Sequence, residues 1–315
     1  MIKTVASVDM PIDEVLEINK NRFVTKKPLT GGEKRISIVT GTHGDELEGQ
    51  YVCYEVSRRI EEDWDKLDGI VDIYPALNPL GIDSITRGIP GFDLDMNRVF
   101  PGSDDGSMVE YIAAGIVKDL KGSDVCIDIH ASNIFLKEIP QARISKKTAK
   151  KLVPYAKLLN LDYIWIHSAA TVLESTLAHS LNSIGTPTIV VEMGVGMRIT
   201  KEYCDQLTEG IFTLMKELGI WTGEAQKPRT PIISKEEDVH FINASESGIF
   251  IPRVEHWRDV REGDHIGDIV DPLKGKVVER IASPCDGIVF TLREYPVVDE
   301  GSLIARILKG EFCNE

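Results

Sequence analysis

Between residues 35 and 220, short apolar runs alternate with longer segments in which apolar residues recur every three or four positions. The first pattern is typical of buried strands and the second of amphipathic helices. Strands are predicted at residues 36–40, 70–74, 125–129, 163–166 and 188–192. Helices are predicted at residues 47–62, 107–120, 145–159, 173–184 and 201–218. This alternation indicates an α/β fold in which helices pack on a sheet.

The pattern changes near Gly223 to Pro231, where a segment containing proline and threonine reads as a linker. Beyond it, short runs of valine, isoleucine and phenylalanine are separated by glycines, and no helical stretch follows. Such punctuation predicts a small β-sandwich or barrel of about 75 residues. We therefore divide the chain into an α/β domain, residues 1–230, and a small β domain, residues 231–315.

Composition and charge narrow the classes of function. The 315 residues carry a formal net charge of −14, and 42% of them are hydrophobic. Because no basic cluster occurs, nucleic acid and anionic membrane surfaces are poor partners. No apolar run approaches the ~20 residues that a membrane span needs. Five scattered cysteines form no disulfide framework. Acidic residues closely follow the N-terminus, a pattern that does not resemble a signal peptide. From these two features we expect a cytoplasmic protein.

Two histidines and a glutamate follow predicted strands. His43 and Glu46 stand three residues apart after the strand at 36–40, and His130 follows the strand at 125–129. Since the carboxyl ends of strands line the ligand crevice of an open α/β sheet, these side chains are expected to meet there. Three protein ligands with one open position are typical of catalytic zinc. We predict one zinc ion per chain, although either histidine alone also fits an ordinary loop or strand end.

Glu192 closes the apolar strand predicted at 188–192. A carboxylate at the end of a buried strand must be paired, solvated or shifted in pKa. Beside a zinc ion it could act as a general base that takes a proton from water and passes it to a leaving amine. The alternative is a glutamate that caps a helix or forms an ion pair.

A long segment without periodicity, residues 75–106, is rich in glycine, proline and aspartate, and such loops are usually functional. Its sequence from Asp93 to Asn97 resembles the start of a calcium loop, but Arg98 stands where that loop needs glycine. Asn97 and Arg98 instead suit a substrate carboxylate, because arginine offers a two-pronged donor. Arg87 could polarise a scissile carbonyl and hold the developing oxyanion.

Taken together, these motifs resemble the succinylglutamate desuccinylase/aspartoacylase family, a branch of the zinc carboxypeptidase-like hydrolases. The resemblance covers roughly residues 35–220. It rests on the order of the following strings: Gly41-Thr42-His43-Gly44-Asp45-Glu46, Asn78-Pro79, Asp95-Met96-Asn97-Arg98-Val99-Phe100-Pro101-Gly102, Asp128-Ile129-His130 and Val191-Glu192-Met193-Gly194.

The resemblance implies a mixed, largely parallel sheet flanked by helices, and it implies roles for individual residues. His43, Glu46 and His130 would ligate zinc, Glu192 would be the base, Asp95 would orient His43, Asn97 and Arg98 would bind the substrate carboxylate, and Arg87 would face the scissile carbonyl. The implied activity is hydrolysis of the amide bond of a small N-acyl amino acid or related carboxylate compound. A carboxypeptidase acting on short peptides and a catalytically silent metal or metabolite-binding module stay open as alternatives.

The C-terminal part resembles the barrel-sandwich hybrid fold of biotinyl and lipoyl carriers, through residues 283–289 and 297–301. A carrier needs a modifiable lysine between these two strings, but Phe290 to Pro296 contains none. Covalent carrier function is therefore not expected. We predict that the segment acts as a lid, a substrate gate or an oligomer contact, so a second copy of the chain is left open as a partner.

Overall fold

The computed structural model describes residues 1–92, 94–168 and 174–310. A thirteen-stranded mixed sheet forms its centre, with the main strand order β1-β2-β4-β3-β5-β8-β6-β15-β17-β10. The neighbours β4, β3, β5 and β8 run parallel, as do β6, β7 and β9. A second sheet has the order β14-β13-β11-β16. The predicted α/β class with a C-terminal all-β part is confirmed.

The elements have the following bounds. The strands are β1 Ile2–Asp9, β2 Val15–Val24, β3 Arg35–Thr40, β4 Ile70–Tyr74, β5 Val125–His130, β6 Leu136–Ser145, β7 Tyr163–His167, β8 Thr188–Gly194, β9 Ile232–Lys235, β10 Val239–Asn243, β11 Gly248–Pro252, β12 Asp259–Val260, β13 His265–Asp271, β14 Lys276–Ala282, β15 Gly287–Arg293, β16 Val297–Val298 and β17 Leu303–Lys309. The α-helices are α1 Glu48–Glu62, α2 Pro79–Ser84, α3 Met108–Leu120, α4 Ala149–Ala156, α5 Leu177–Ser183 and α6 Lys201–Glu217.

Side chains alternate between the two faces of the parallel strands, as strand geometry requires. In β3, Ile36 and Ile38 join a core that includes residues of α1, α4 and α6. Val39 joins the core on the other face, formed in part by α3 and α5. Burial on both faces explains why these strands consist mainly of apolar residues, with only single buried polar residues such as Ser37, Asp72 and Asp128 between them.

One predicted helix, at residues 145–159, is wrong at its start. Residues up to Ser145 belong to β6, whose backbone groups pair with β7 and β8. The helix α4 begins only at Ala149. The strand escaped sequence analysis because its buried positions include the polar Glu138 and Gln141, which break the apolar run. The predicted helix at 173–184 is observed at Leu177–Ser183, and residue 173 lies outside the described residues.

The C-terminal strands are continuous with the main sheet. β15 pairs with β6, β17 pairs with β15, and β9 pairs with β7. The smaller sheet packs on this extension through a shared core, in which Phe250 and Ile269 meet Val289 and Ile307. Backbone pairing therefore crosses the domain boundary predicted after residue 230. The boundary itself stays a prediction.

Candidate metal centre and substrate cavity

Three potential ligands meet at the carboxyl end of the parallel strands. His43 and Glu46 lie between β3 and α1, and His130 is the last residue of β5. Gly41 has φ of +69° at the turn out of β3, a backbone conformation that glycine adopts without strain. Ligand atoms of His43, Glu46 and His130 all lie within 4.8 Å of one another. The sheet therefore brings together the three residues that the sequence proposed as metal ligands.

The two imidazoles turn the same nitrogen toward the Glu46 carboxylate. His43 Nδ1 lies 2.7 Å from Oε1, and His130 Nδ1 lies 2.9 Å from Oε2. Burial would raise the pKa of Glu46, but the neighbouring His43 and His130 outweigh burial and hold the pKa below its usual range. Glu46 is thus a buried carboxylate that both imidazoles contact at the centre of the cluster.

The outward nitrogens of both imidazoles face carboxylates. His43 Nε2 lies 3.1 Å from Asp95 Oδ1, and His130 Nε2 lies 3.2 Å from Asp128 Oδ1. Metal-binding histidines commonly give their second nitrogen to a carboxylate, which fixes the ring and its tautomer. Two imidazole nitrogens and one carboxylate are also a ligand set that zinc accepts in catalytic sites. The donor chemistry of this cluster therefore fits a metal ion.

Glu192 lies beside this cluster because β8 pairs with β5. His130 and Glu192 are register partners in the two strands. The side chain of Glu192 is 16% exposed, and its Oε1 lies 3.3 Å from Arg143 Nη1. Burial raises the pKa of Glu192, while the positive charge of Arg143 opposes that shift. A carboxylate with a raised pKa near a metal cluster is suited to accept and return a proton.

The arginine and asparagine candidates come from the loop between β4 and α3. Arg87 Nη1 lies 3.2 Å from Glu46 Oε1, and its Nη2 lies 3.4 Å from Asp95 Oδ2. Asn97 is buried, and its Oδ1 accepts the backbone N–H of Leu177 at 2.9 Å, a bond that does not use its Nδ2 donor. Arg98 donates to the Asn97 carbonyl oxygen. Asp93, the first residue of the calcium-like string, lies outside the described residues.

A cavity of about 910 Å³ connects these groups. The predicted site residues that line it are His43, Glu46, Arg87, Asn97, Arg98, His130 and Glu192. Asp95 contributes through its bond to His43. The cavity is also lined by Arg143, Trp165 and His167 together with Phe241 and Arg306 from the C-terminal strands.

Sequence analysis missed several charged residues that line this cavity, among them Asp128 and Arg143. Asp128 stands two positions before His130 in β5, and the period of a strand places both on one face. That spacing could have assigned Asp128 as the partner of His130. Arg143 could not be found in this way, because its strand β6 was not predicted.

The chain is similar in sequence to known proteins over most of its length. Residues 33–218 match the model of the succinylglutamate desuccinylase/aspartoacylase catalytic domain. An N-alpha-acetyl-L-2,4-diaminobutyric acid deacetylase from Halomonas elongata is 27% identical over 294 residues, which span 88% of this chain and 82% of the relative.

Solved structures share the fold over nearly the whole chain. The product-bound ectoine utilization protein EutE from Ruegeria pomeroyi has a TM-score of 0.82 at 21% identity, covering 96% of this chain and 93% of its own. A succinylglutamate desuccinylase/aspartoacylase from Rhodobacter sphaeroides has a TM-score of 0.81 at 21% identity, covering 98% and 96%. Since the family match extends over more than half of the sequence, this chain belongs to the succinylglutamate desuccinylase/aspartoacylase family.

Proposed function

We propose that this protein is a zinc-dependent amidohydrolase that removes the acyl group from a small N-acyl amino acid or a related compound. The observation that carries the proposal is the convergence of His43 Nδ1, His130 Nδ1 and the Glu46 carboxylate, with Glu192 on the adjacent strand. Such a cluster in a cavity has the parts of a metal-assisted hydrolase: ligands, a base and room for substrate.

His43, Glu46 and His130 would hold the ion, which supplies a Lewis acid for activating water and polarising the acyl carbonyl. Glu192 accepts the proton of the attacking water and returns it to the leaving amine. Arg87, within reach of Glu46 and Asp95, donates to the carbonyl oxygen as negative charge develops there. Each of these groups lines the cavity.

The substrate is anchored by its carboxylate. We assign this carboxylate to two donors, Asn97 Nδ2 and the Arg98 guanidinium. The backbone N–H of Leu177 already donates to Asn97 Oδ1, so the amide group of Asn97 would bind substrate through its Nδ2. The deacetylase from Halomonas elongata acts on an acetylated amino acid according to its name, which supports a small N-acyl amino acid as the substrate class. A panel of substrates is needed to identify the acyl group and the amino acid.

We place this activity in the cytoplasm. The cysteines Cys53, Cys126, Cys204 and Cys285 are free thiols, which suits a reducing compartment. Among the described residues, no helix has both the length and the apolar character that crossing a membrane requires.

Metal analysis combined with a substrate panel tests the proposal. The purified chain should contain about one zinc ion, following the three-ligand rule for catalytic sites, and should hydrolyse at least one of a set of N-acetyl and N-succinyl amino acids. Chelation should abolish turnover, and added zinc should restore it. Hydrolysis of short peptides alone would favour a carboxypeptidase. Metal binding without turnover of either class would favour a silent binding module.

A further inference from the structure

Arg143 joins the candidate base to a buried carboxylate that takes no part in the reaction as described above. Its Nη1 lies 3.3 Å from Glu192 Oε1, and its Nη2 donates to Glu138 Oε1 at 2.8 Å. Arg143 and Val190 are register partners in β6 and β8, so the guanidinium reaches Glu192 from the neighbouring strand. The ring of Trp165 lies 5.7 Å from the guanidinium carbon.

Glu138 is held firmly enough to act as an anchor. Its side chain is 1% exposed, and each of its oxygens accepts two hydrogen bonds. Oε1 accepts from Arg143 and, at 2.7 Å, from Arg306 Nη1. Oε2 accepts from Gln141 Nε2 at 2.7 Å and from Thr291 Oγ1 at 2.6 Å. Because four donors surround it, this carboxylate fixes the position of the guanidinium that it binds.

We propose that Arg143 is a positioning residue, which holds the Glu192 carboxylate by one oxygen at a fixed place beside the metal cluster. The proposal rests on the proposed function of Glu192 as the base. A glutamate side chain has several rotamers, and a base works only from within hydrogen-bond reach of its proton. The planar guanidinium, fixed on Glu138, restricts Glu192 to the arrangement in which its other oxygen is available for proton transfer.

This role gives the C-terminal strands a part in the active site. Arg306 lies on β17 and Thr291 on β15, and both donate to Glu138. The segment beyond residue 231 therefore supports the base through a chain of contacts. Arg306 donates to Glu138, Glu138 accepts from Arg143, and Arg143 lies beside Glu192. That function is distinct from covering the cavity as a lid.

Replacement of Arg143 tests the positioning role, with an N-acyl amino acid that the wild-type protein hydrolyses as the probe. Arg143→Ala should lower kcat about 100-fold, the scale expected when a catalytic group is misplaced, with metal content unchanged and a smaller change in KM. Added guanidinium chloride should restore part of kcat in this variant, because the small cation can enter the space that the side chain leaves. Arg198→Ala, which removes an exposed arginine paired with Glu294, is the matched control and should be unaffected by guanidinium.

Two further variants separate the outcomes. Arg143→Ala combined with Glu192→Gln should be no slower than Glu192→Gln alone, since residues that act as a unit are not additive. If Glu192→Gln is inactive while Arg143→Ala keeps the wild-type kcat, only the positioning role is overturned. Full activity of Glu192→Gln would instead overturn the assignment of Glu192 as the base, on which the positioning role rests.

If Arg143→Ala fails to fold, the variant Arg143→Lys tests the positioning role instead. A single ammonium cannot reproduce a fork that spans two carboxylates, so kcat of the lysine variant should fall at least about fivefold with metal retained, on the scale of a lost charged hydrogen bond. An unchanged kcat for the lysine variant would contradict the proposal.

Discussion

His130 and Glu192 are direct register partners on the parallel strands β5 and β8. Neighbouring strands lie about 4.8 Å apart in a sheet, so backbone hydrogen bonds, rather than a loop, set the spacing between a candidate metal ligand and the candidate base. His43 and Glu46, in contrast, follow the turn after β3, and Arg87, Asn97 and Arg98 come from the long loop. The site therefore combines a fixed part on the sheet with a substrate-facing part on loops, as is common in α/β enzymes.

Loss of either histidine should remove the metal. His43→Ala and His130→Ala each delete one of three ligands, and we expect both variants to lose bound zinc and hydrolysis together. Mass spectrometry of the native protein and elemental analysis measure the metal content. His240→Ala, on β10, is the control and should keep its zinc. A His130→Ala variant with a full complement of zinc would show that the ligand set is wrong.

Glu192→Gln should separate catalysis from binding. Glutamine keeps the shape of the side chain but cannot accept the proton, so kcat should fall by about 100-fold or more, as for loss of a general base. Zinc content and KM should change little, as measured by elemental analysis and steady-state kinetics. Glu202→Gln replaces an exposed glutamate at the start of α6 and should behave as wild type. Equal activity of the two variants would assign the base to another carboxylate.

Arg98→Ala should act mainly on substrate affinity. The guanidinium is expected to bind the substrate carboxylate equally in the ground state and the transition state, so KM should rise while kcat is largely kept. The lost charged hydrogen bonds correspond to a rise in KM of about 10- to 100-fold. A fall in kcat with KM unchanged would instead place Arg98 at the reacting bond.

Glu138→Gln should make stability less dependent on pH in the acid range. Burial alone would raise the pKa of Glu138, but Arg143 and Arg306 outweigh it and hold the pKa below its usual range. Such a carboxyl adds stability above its unfolded pKa of about 4.3 and loses that contribution as the pH falls through its folded pKa.

The variant should therefore be less stable than wild type at pH 7, by about 3 kcal/mol if it behaves like other broken buried ion pairs. The difference should shrink as the pH falls below about 4. Urea unfolding at a series of pH values measures this difference in the free energy of unfolding, with Glu202→Gln as the control. A stability difference that stays constant from pH 7 to pH 3 would show that the charge of Glu138 has no stabilising role.

The sequence by itself determined the α/β fold class, the five predicted strands of the catalytic part and the family. It could do so because those strands are largely buried and consist mainly of apolar residues, as in residues 189–191. The residues with potential for metal binding or acid–base chemistry follow directly after such runs. His43, His130 and Glu192 could therefore be placed at one end of the sheet from the sequence alone.

Only the tertiary structure decided which other residues complete the site. Glu138 and Gln141 are polar residues inside a buried strand, and Glu138 accepts hydrogen bonds from Arg306 and Thr291, which lie far away in sequence. No local pattern predicts such a strand, because its stability comes from long-range pairing and from charges that neutralise one another. For this reason the sequence predicted neither the role of Arg143 nor the continuity of the C-terminal strands with the main sheet. Local sequence specifies apolar burial, whereas the partners of buried charges are set by the folded chain as a whole.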